Sequence, residues 1–375
     1  MRRLIFAVLL ILPFLSACTK RNPNEIQVGH FASMTGGEAT FGQSTDQGIR
    51  LAVDEINAAG GIKGKKIHVI TMDDQGKSEE AASVMTRLIE QEKVVALLGE
   101  VASSRSLAAA PIAQGKKIPM ITPSSTNPKV TEVGDFIFRT CFIDPFQGTV
   151  MARFAFENLK YRKIAILRDV KSDYSVGLAD FFIKKFTELG GTIVGDVSYQ
   201  GQQDVDFKAQ LTQLKSKNPE GIFVPGYYTE VGLIARQARE LGIKATLLGG
   251  DGWDSPKLSE IGQKAVDGGY FSNHYSTESK DPVAVDFLKN FKAKYGIPAD
   301  GLSAAGYDAA RVLIVAMQNA PEITPQAIRD QLAKIKDYHG VTGLISINEL
   351  RNAVKSAVVV QVQGSTNKYV TTVNP

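Results

Sequence analysis

The residue types that could do chemistry in this chain are hydroxyls, phenols and one prominent carboxylate. Hydroxyls gather at Ser103-Ser104 and at Ser124-Ser125-Thr126. Aromatic rings stand at Tyr174 and Tyr227-Tyr228, and an acid at Asp251. Hydroxyls beside the free N–H groups of a helix N-terminus suit an anion such as a carboxylate. A carboxylate among aromatic rings suits a cation, through charge pairing and cation–π attraction. A site that combined the two would grip a zwitterion by both ends. Each position also has a bland role: Ser103 as a helix cap, Ser124 and Thr126 as turn residues, Tyr174 as a helix-start aromatic.

Covalent chemistry finds little support. The chain has no G-x-x-x-x-G-K-[ST], no G-x-G-x-x-G after its first strand, no G-x-S-x-G and no H-E-x-x-H. His30, His68, His274 and His339 fall in different elements, without ligand spacing. Asp251 and Asp254 flank Trp253, but no further oxygen-rich cluster accompanies them, so no metal is expected. The reading is a binding protein without a cofactor, not an enzyme.

What must position these groups is an alternating α/β chain. Apolar strand patterns at residues 25–32, 66–72, 94–99 and 118–122 alternate with helical ones. The first helix carries Ile49, Ala52, Val53 and Ile56 on one face and stops at Gly60-Gly61. After a crossing near Asp144 the unit restarts, with strands at 163–168, 192–199, 221–226 and 245–250. Helices are expected over 176–189, from Asp204 through Phe207, Leu211 and Leu214, and over 231–241. Such repetition predicts two doubly wound lobes with parallel sheets. In an open parallel sheet, ligands bind beyond the carboxyl ends of the strands. Ser103, Ser124, Thr126, Tyr174, Tyr227 and Asp251 all fall there, hydroxyls on the first lobe and phenols with the carboxylate on the second. Two or three helices are then expected over 282–336, and a late strand at SAVVVQVQ.

Length and composition agree. The chain has 375 residues, 43% hydrophobic and 22% charged, enough apolar surface for two cores and too much for a disordered chain. A net charge of +4, with bases scattered among acids, offers no nucleic-acid face. The N-terminal run MRRLIFAVLLILPFLSACTK has a basic start and an apolar stretch too short to span a membrane, and ends in Leu-Ser-Ala-Cys. It resembles a lipoprotein signal (1–17), with Cys18 as the lipidated residue and 18–24 as a tether. Only Cys141 then remains, so no disulfide is expected.

Beyond these patterns, VDEINAAGGIKGKKI, PMITPSSTNP, FIFRT, GLAD, DFKAQLTQLK, IARQARELG and AAGYDAA together resemble the type I periplasmic-binding-protein family. The likeness is to its leucine/isoleucine/valine-binding members, which serve ABC importers. The resemblance implies two hinge-linked Rossmann-like lobes, 25–143 with 275–350 and 144–274 with 351–375. It implies that Ser103, Ser124 and Thr126 clamp a ligand carboxylate, and that Tyr227 and Asp251 hold the ammonium. By the same likeness Tyr174 covers the ligand and Phe41 walls its side chain. The expected partners are an amino acid and a membrane permease, for a monomer anchored in the periplasm or at the cell surface. The chain departs from the family in carrying Asp at 251 for Glu, and in lacking Cys at Gln75 and Ala102. Glu38 near Leu302 bears on side-chain preference. An amide, urea or aromatic-acid binder, or a ligand sensor, are the alternatives.

Overall fold

The computed structural model describes residues 24–375, apart from residue 202. The signal segment 1–17, Cys18 and the tether up to residue 23 lie outside the described residues.

The first lobe is built on a five-stranded, wholly parallel sheet: β1 (Glu25–Ala32), β2 (Lys66–Asp73), β3 (Ala96–Leu98), β4 (Met120–Thr122) and β5 (Ile137–Arg139), in the order β2-β1-β3-β4-β5. Helices α1 (Ala39–Ala58), α2 (Ser78–Glu90), α3 (Ser103–Gly115) and the short α4 (Lys129–Glu132) follow these strands in turn. Both faces of the sheet are covered, which is why β1 reads EIQVGHFA, apolar on both sides. Val28 packs beside Ile49 and Ile56 of α1, while Phe31 packs beside Val84 and Leu88 of α2.

The second lobe has a seven-stranded sheet. It comprises β6 (Lys163–Asp169), β7 (Thr192–Tyr199), β8 (Gly221–Phe223), β9 (Thr246–Gly249) and β10 (Tyr270–Asn273), with two strands from the C-terminal end of the chain. Its helices are α5 (Asp144–Arg153), continued by a π-helical turn over Phe154–Asn158, then α6 (Asp173–Glu188), α7 (Lys208–Lys215), α8 (Tyr228–Glu240) and α9 (Pro256–Gly262). The chain then returns to the first lobe as α10 (Pro282–Tyr295), α11 (Gly301–Asn319) and α12 (Pro325–Leu332). A small antiparallel sheet follows: β11 (Tyr338–Gly340), β12 (Gly343–Ile347) and β13 (Ala353–Val354). Finally β14 (Ala357–Gln363) and β15 (Thr366–Val373) add antiparallel strands to the edge of the second sheet.

Several expectations need correction. The second sheet is mixed, because β14 and β15 form a hairpin on β10 that alternation of strand and helix could not announce. The small sheet and α5 were not foreseen either. Asp204 does not open a helix: its carboxylate accepts the Gln200 N–H, and α7 starts at Lys208. Three segments join the two lobes: one between β5 and α5, one between β10 and α10, and one ahead of β14.

Helices α1 and α11 touch backbone to backbone. A Cβ on Gly48 would lie 1.9 Å from the Ser303 carbonyl oxygen, and one on Gly306 would lie 2.5 Å from that of Thr45. This close approach gives the AAGYDAA segment its glycine. The same segment supplies Asp308, whose buried carboxylate accepts from the N–H groups of Val341 and Thr342, each at 2.8 Å. Lys355, on the last crossing, is buried beside it, and burial brings its ammonium down to about 8. The consequence for function is rigid placement: α1 and α11 deliver Phe41 and Leu302 to the line where the lobes meet.

Candidate functional site

The lobes face each other across the carboxyl ends of both sheets. The first lobe contributes Phe41 from the opening turn of α1 and Leu302 from that of α11. It adds Val101 and Ser103 at the N-terminus of α3, and Ser124 after β4. The second contributes Tyr174 from the first turn of α6, Tyr227 just before α8, and Asp251 with Gly252 in the 3-10 turn after β9. These side chains enclose one small cavity of ≈ 10 Å³. Phe41, Ser103, Ser124, Tyr174, Tyr227 and Asp251 are thus brought together, as expected from strand ends. Thr126 does not line the cavity: it is buried, with its hydroxyl beside the Asp144 carboxyl. Glu38 does not line the cavity either, because it is drawn into a buried ion pair with Arg105, which also meets Glu100 at 3.1 Å.

The aromatic walls are interlocked. Tyr174 stacks on Tyr227 at 5.3 Å between centroids, and Phe41 meets Tyr227 edge-on at 5.5 Å. The Tyr174 phenol oxygen accepts the Gly252 N–H at 3.1 Å, which holds the ring in place against the cavity. The glycines of GGDGW permit this. A Cβ on Gly250 would stand 2.5 Å from the Tyr174 Oη, and one on Gly252 would stand 2.7 Å from the Gly226 carbonyl oxygen. Trp253 anchors the same turn, fully buried, with its indole N–H on the Val224 carbonyl at 2.9 Å. The Asp251 N–H is held by Gln147 Oε1 at 2.8 Å, and the same oxygen accepts from Ser272.

Asp251 is the centre of the site. Its Oδ2 lies 3.0 Å from His274 Nε2 and 3.4 Å from Ser124 Oγ. Its Oδ1 is buried and has no hydrogen-bond partner. A buried carboxylate oxygen without a donor carries a cost that a bound ammonium would remove. His274 stacks on Phe142 at 4.3 Å, and burial lowers its pKa while the Asp251 contact opposes that shift. The neutral ring therefore presents an Nε2–H to Asp251. Sequence reasoning missed His274 and Gln147. The crossing near His274 was expected, but nothing in its spacing linked it to Asp251.

The lobes are joined around the cavity by direct hydrogen bonds. Thr40 Oγ1 meets Ser255 Oγ at 2.8 Å, and Thr229 Oγ1 donates to the Gly37 carbonyl at 2.7 Å. Asn127 donates to the Asp173 carbonyl, and the Asp173 N–H donates to Ser104 Oγ. Among the described residues no group of His, Cys, Asp and Glu is arranged to hold a metal ion.

Comparison with known proteins identifies this architecture. Residues 25–368 match the family model described as periplasmic binding protein. The chain belongs to that family. It is 33% identical over 299 residues, covering 79% of each chain, to a Leu/Ile/Val-binding protein homolog of Brucella melitensis. It is 29% identical over 346 residues to a leucine-, isoleucine-, valine-, threonine- and alanine-binding protein of Pseudomonas aeruginosa, covering 92% and 91% of the two chains. Among solved structures, it superposes on the leucine binding protein LivK of Thermotoga maritima with a TM-score of 0.90 at 42% identity, covering 93% and 99%. The LivJ substrate binding protein of Streptococcus pneumoniae, solved with isoleucine, gives 0.88 at 36%, covering 94% and 100%.

One acid of this periplasmic binding protein lies in the second lobe and pairs with no base. Glu230, in the first turn of α8, is 3% exposed, and both carboxylate oxygens lack a partner. Burial, then the nearby Glu38 charge, push it up to about 8. A carboxyl raised in the folded state stabilises below its unfolded pKa, and that contribution is lost as pH rises through about 8. Glu230→Gln is therefore expected to match the parent near pH 4 and to exceed it by about 3–5 kcal/mol near pH 9. Urea denaturation at the two pH values measures the difference.

Proposed function

We propose that this periplasmic binding protein captures an α-amino acid with a branched or similarly apolar side chain, and hands it to the membrane permease of an ABC importer. The observation that carries the reading is the Asp251 carboxylate, with Oδ1 buried and unpartnered beside Tyr174 and Tyr227, opposite Ser103, Ser124 and the N-terminus of α3. The ammonium lies on Asp251. The carboxylate lies on the two serines and the first-turn N–H groups of α3, where helix polarity favours an anion. Phe41, Val101 and Leu302 form the wall for the side chain. Among the described residues Asp251 is the only charged one lining the cavity, so a charged ligand side chain would be buried without a partner there. The names of the relatives, which bind leucine, isoleucine and valine, agree with this.

A cavity of ≈ 10 Å³ is too small for an amino acid. The lobes therefore part about the three crossings to admit it, and the ligand draws them together to the extent that it binds the closed form better. The lobes are taken as 25–143 with 275–350 and 144–274 with 351–375, the last segment leading into β14. The protein works as a monomer without catalysis, outside the cytoplasm, tethered through lipidated Cys18. Thr126 belongs to the same carboxylate-binding loop as Ser124.

Thermal shifts against a panel of amino acids, amides and small carboxylic acids test the reading. At ligand concentrations ~100 times Kd the expected stabilisation is about 2.7 kcal/mol. Leucine, isoleucine or valine should raise the melting temperature, and 4-methylpentanoate, which lacks the ammonium, should not. Shifts confined to ligands without an ammonium would overturn the assignment.

A further inference from the structure

A second and much larger cavity, ≈ 470 Å³, opens between the lobes beside the first, and none of the residues that line the small cavity line it. Its walls come from both lobes: Gln43 and Phe291 on one side, Leu258 and Val360 on the other. Its surface is mainly apolar, and its charged residues are Asp254 and Asp300, both acids. These two carboxylates flank the N-terminus of α11. Asp254 Oδ2 accepts the Gly301 N–H at 2.6 Å across the lobe boundary, and Asp300 caps the same helix through Ser303 N–H. That N-terminus is already satisfied, and no base lines the space, so nothing there would hold a carboxylate. The amino-acid site cannot be this cavity.

We propose that this inter-lobe cavity is a separate binding site for a small organic cation, a primary ammonium carrying an apolar tail, and that its occupation favours the closed lobes. The ammonium sits between Asp254 and Asp300, and the tail lies along Leu258, Phe291 and Ile297. Charge complementarity gives the sign. Burial, and then the Asp300 charge, push Asp254 up to about 7, and a bound ammonium would favour its ionised form. Because the walls belong to both lobes, such a ligand has differential affinity for the closed form, and linkage makes the effect on the amino acid reciprocal. The inference stands apart from the identity of the amino acid.

Calorimetric titration of 2-phenylethylamine into the leucine-saturated protein at pH 7.5 tests it, with 2-phenylethanol as the uncharged control. One saturable site is expected, at least ten times tighter for the amine than for the alcohol. Saturating amine should tighten leucine binding at least fivefold. Amine binding should be lost in Asp254→Asn and in Ile297→Arg. Ile297 is 48% exposed, so the arginine at this position decides the matter even if Asp254→Asn misfolds. Absence of saturable binding, equal binding of the alcohol, or unchanged amine binding in Ile297→Arg would overturn the proposal. Should leucine itself not bind, the same titration on the unliganded protein still decides the second site, and that failure falls on the amino-acid reading alone.

Discussion

Asp251→Ala is expected to weaken amino-acid binding by a hundred- to several-thousand-fold. Removing one partner of a buried, hydrogen-bonded charge pair costs about 3–5 kcal/mol, because the other charge is left buried and unpaired. Here the stranded charge is the ligand ammonium, enclosed by Tyr174 and Tyr227. The effect should fall on affinity more than on the fold. Oδ1 has no donor to lose, but alanine strands the buried His274 Nε2–H that Oδ2 accepts. Asp251→Ala should therefore lose about 1–2 kcal/mol of stability, while calorimetric titration with leucine shows the larger loss of affinity. Asp251→Asn keeps the volume and the contact with His274 while removing the charge, so it should retain more affinity than alanine. Equal affinities for parent and alanine variant would exclude Asp251 as the ammonium partner.

Trp253→Ala is expected to have the largest effect on stability, about 4 kcal/mol. Truncating a fully buried tryptophan costs about 3–5 kcal/mol through lost burial and the cavity left behind. The Val224 carbonyl would also lose its indole N–H donor. The indole lies against Gly249, where a Cβ would stand only 2.1 Å from the ring, and beside Phe271 on β10. Trp253 closes the same 3-10 turn that Asp251 opens, so Asp251 loses its fixed position along with the packing. Trp253→Phe should recover about half the stability, since it refills part of the space without restoring the N–H. Urea denaturation measures both variants. Trp253 is the sole tryptophan of the chain, so the parent's fluorescence also reports on this turn.

The alternation of strand and helix was legible because apolar runs bounded by glycine state a buried parallel strand directly. Strand β1 and strand β7 follow their sequence patterns end to end. Strand ends then located the cleft, since every parallel strand delivers its following loop to the same edge. Strand β14 was legible as SAVVVQVQ, but its hairpin partner β15 was not: Thr366–Val373 is a half-exposed edge strand with no continuous apolar run. Helix α5 was hidden because its buried face includes Asp144, Gln147 and Gly148, so it lacks an apolar stripe. In the site, positions were readable and orientations were not. Ser124 and Thr126 stand two residues apart after β4, yet only the first faces the cavity. The contact of His274 with Asp251 joins elements far apart in sequence, and no local pattern encodes it. Glu38 looked like a determinant of side-chain preference, but the buried Arg105 claims it.

The most direct test of the central claim is a crystal structure of the protein with leucine. The account predicts the leucine ammonium within hydrogen-bond reach of Asp251 Oδ1, between Tyr174 and Tyr227. It predicts the carboxylate on Ser103, Ser124 and the opening turn of α3, and the side chain against Phe41, Val101 and Leu302. Leucine bound in the reverse sense, or seated away from Asp251, would contradict it.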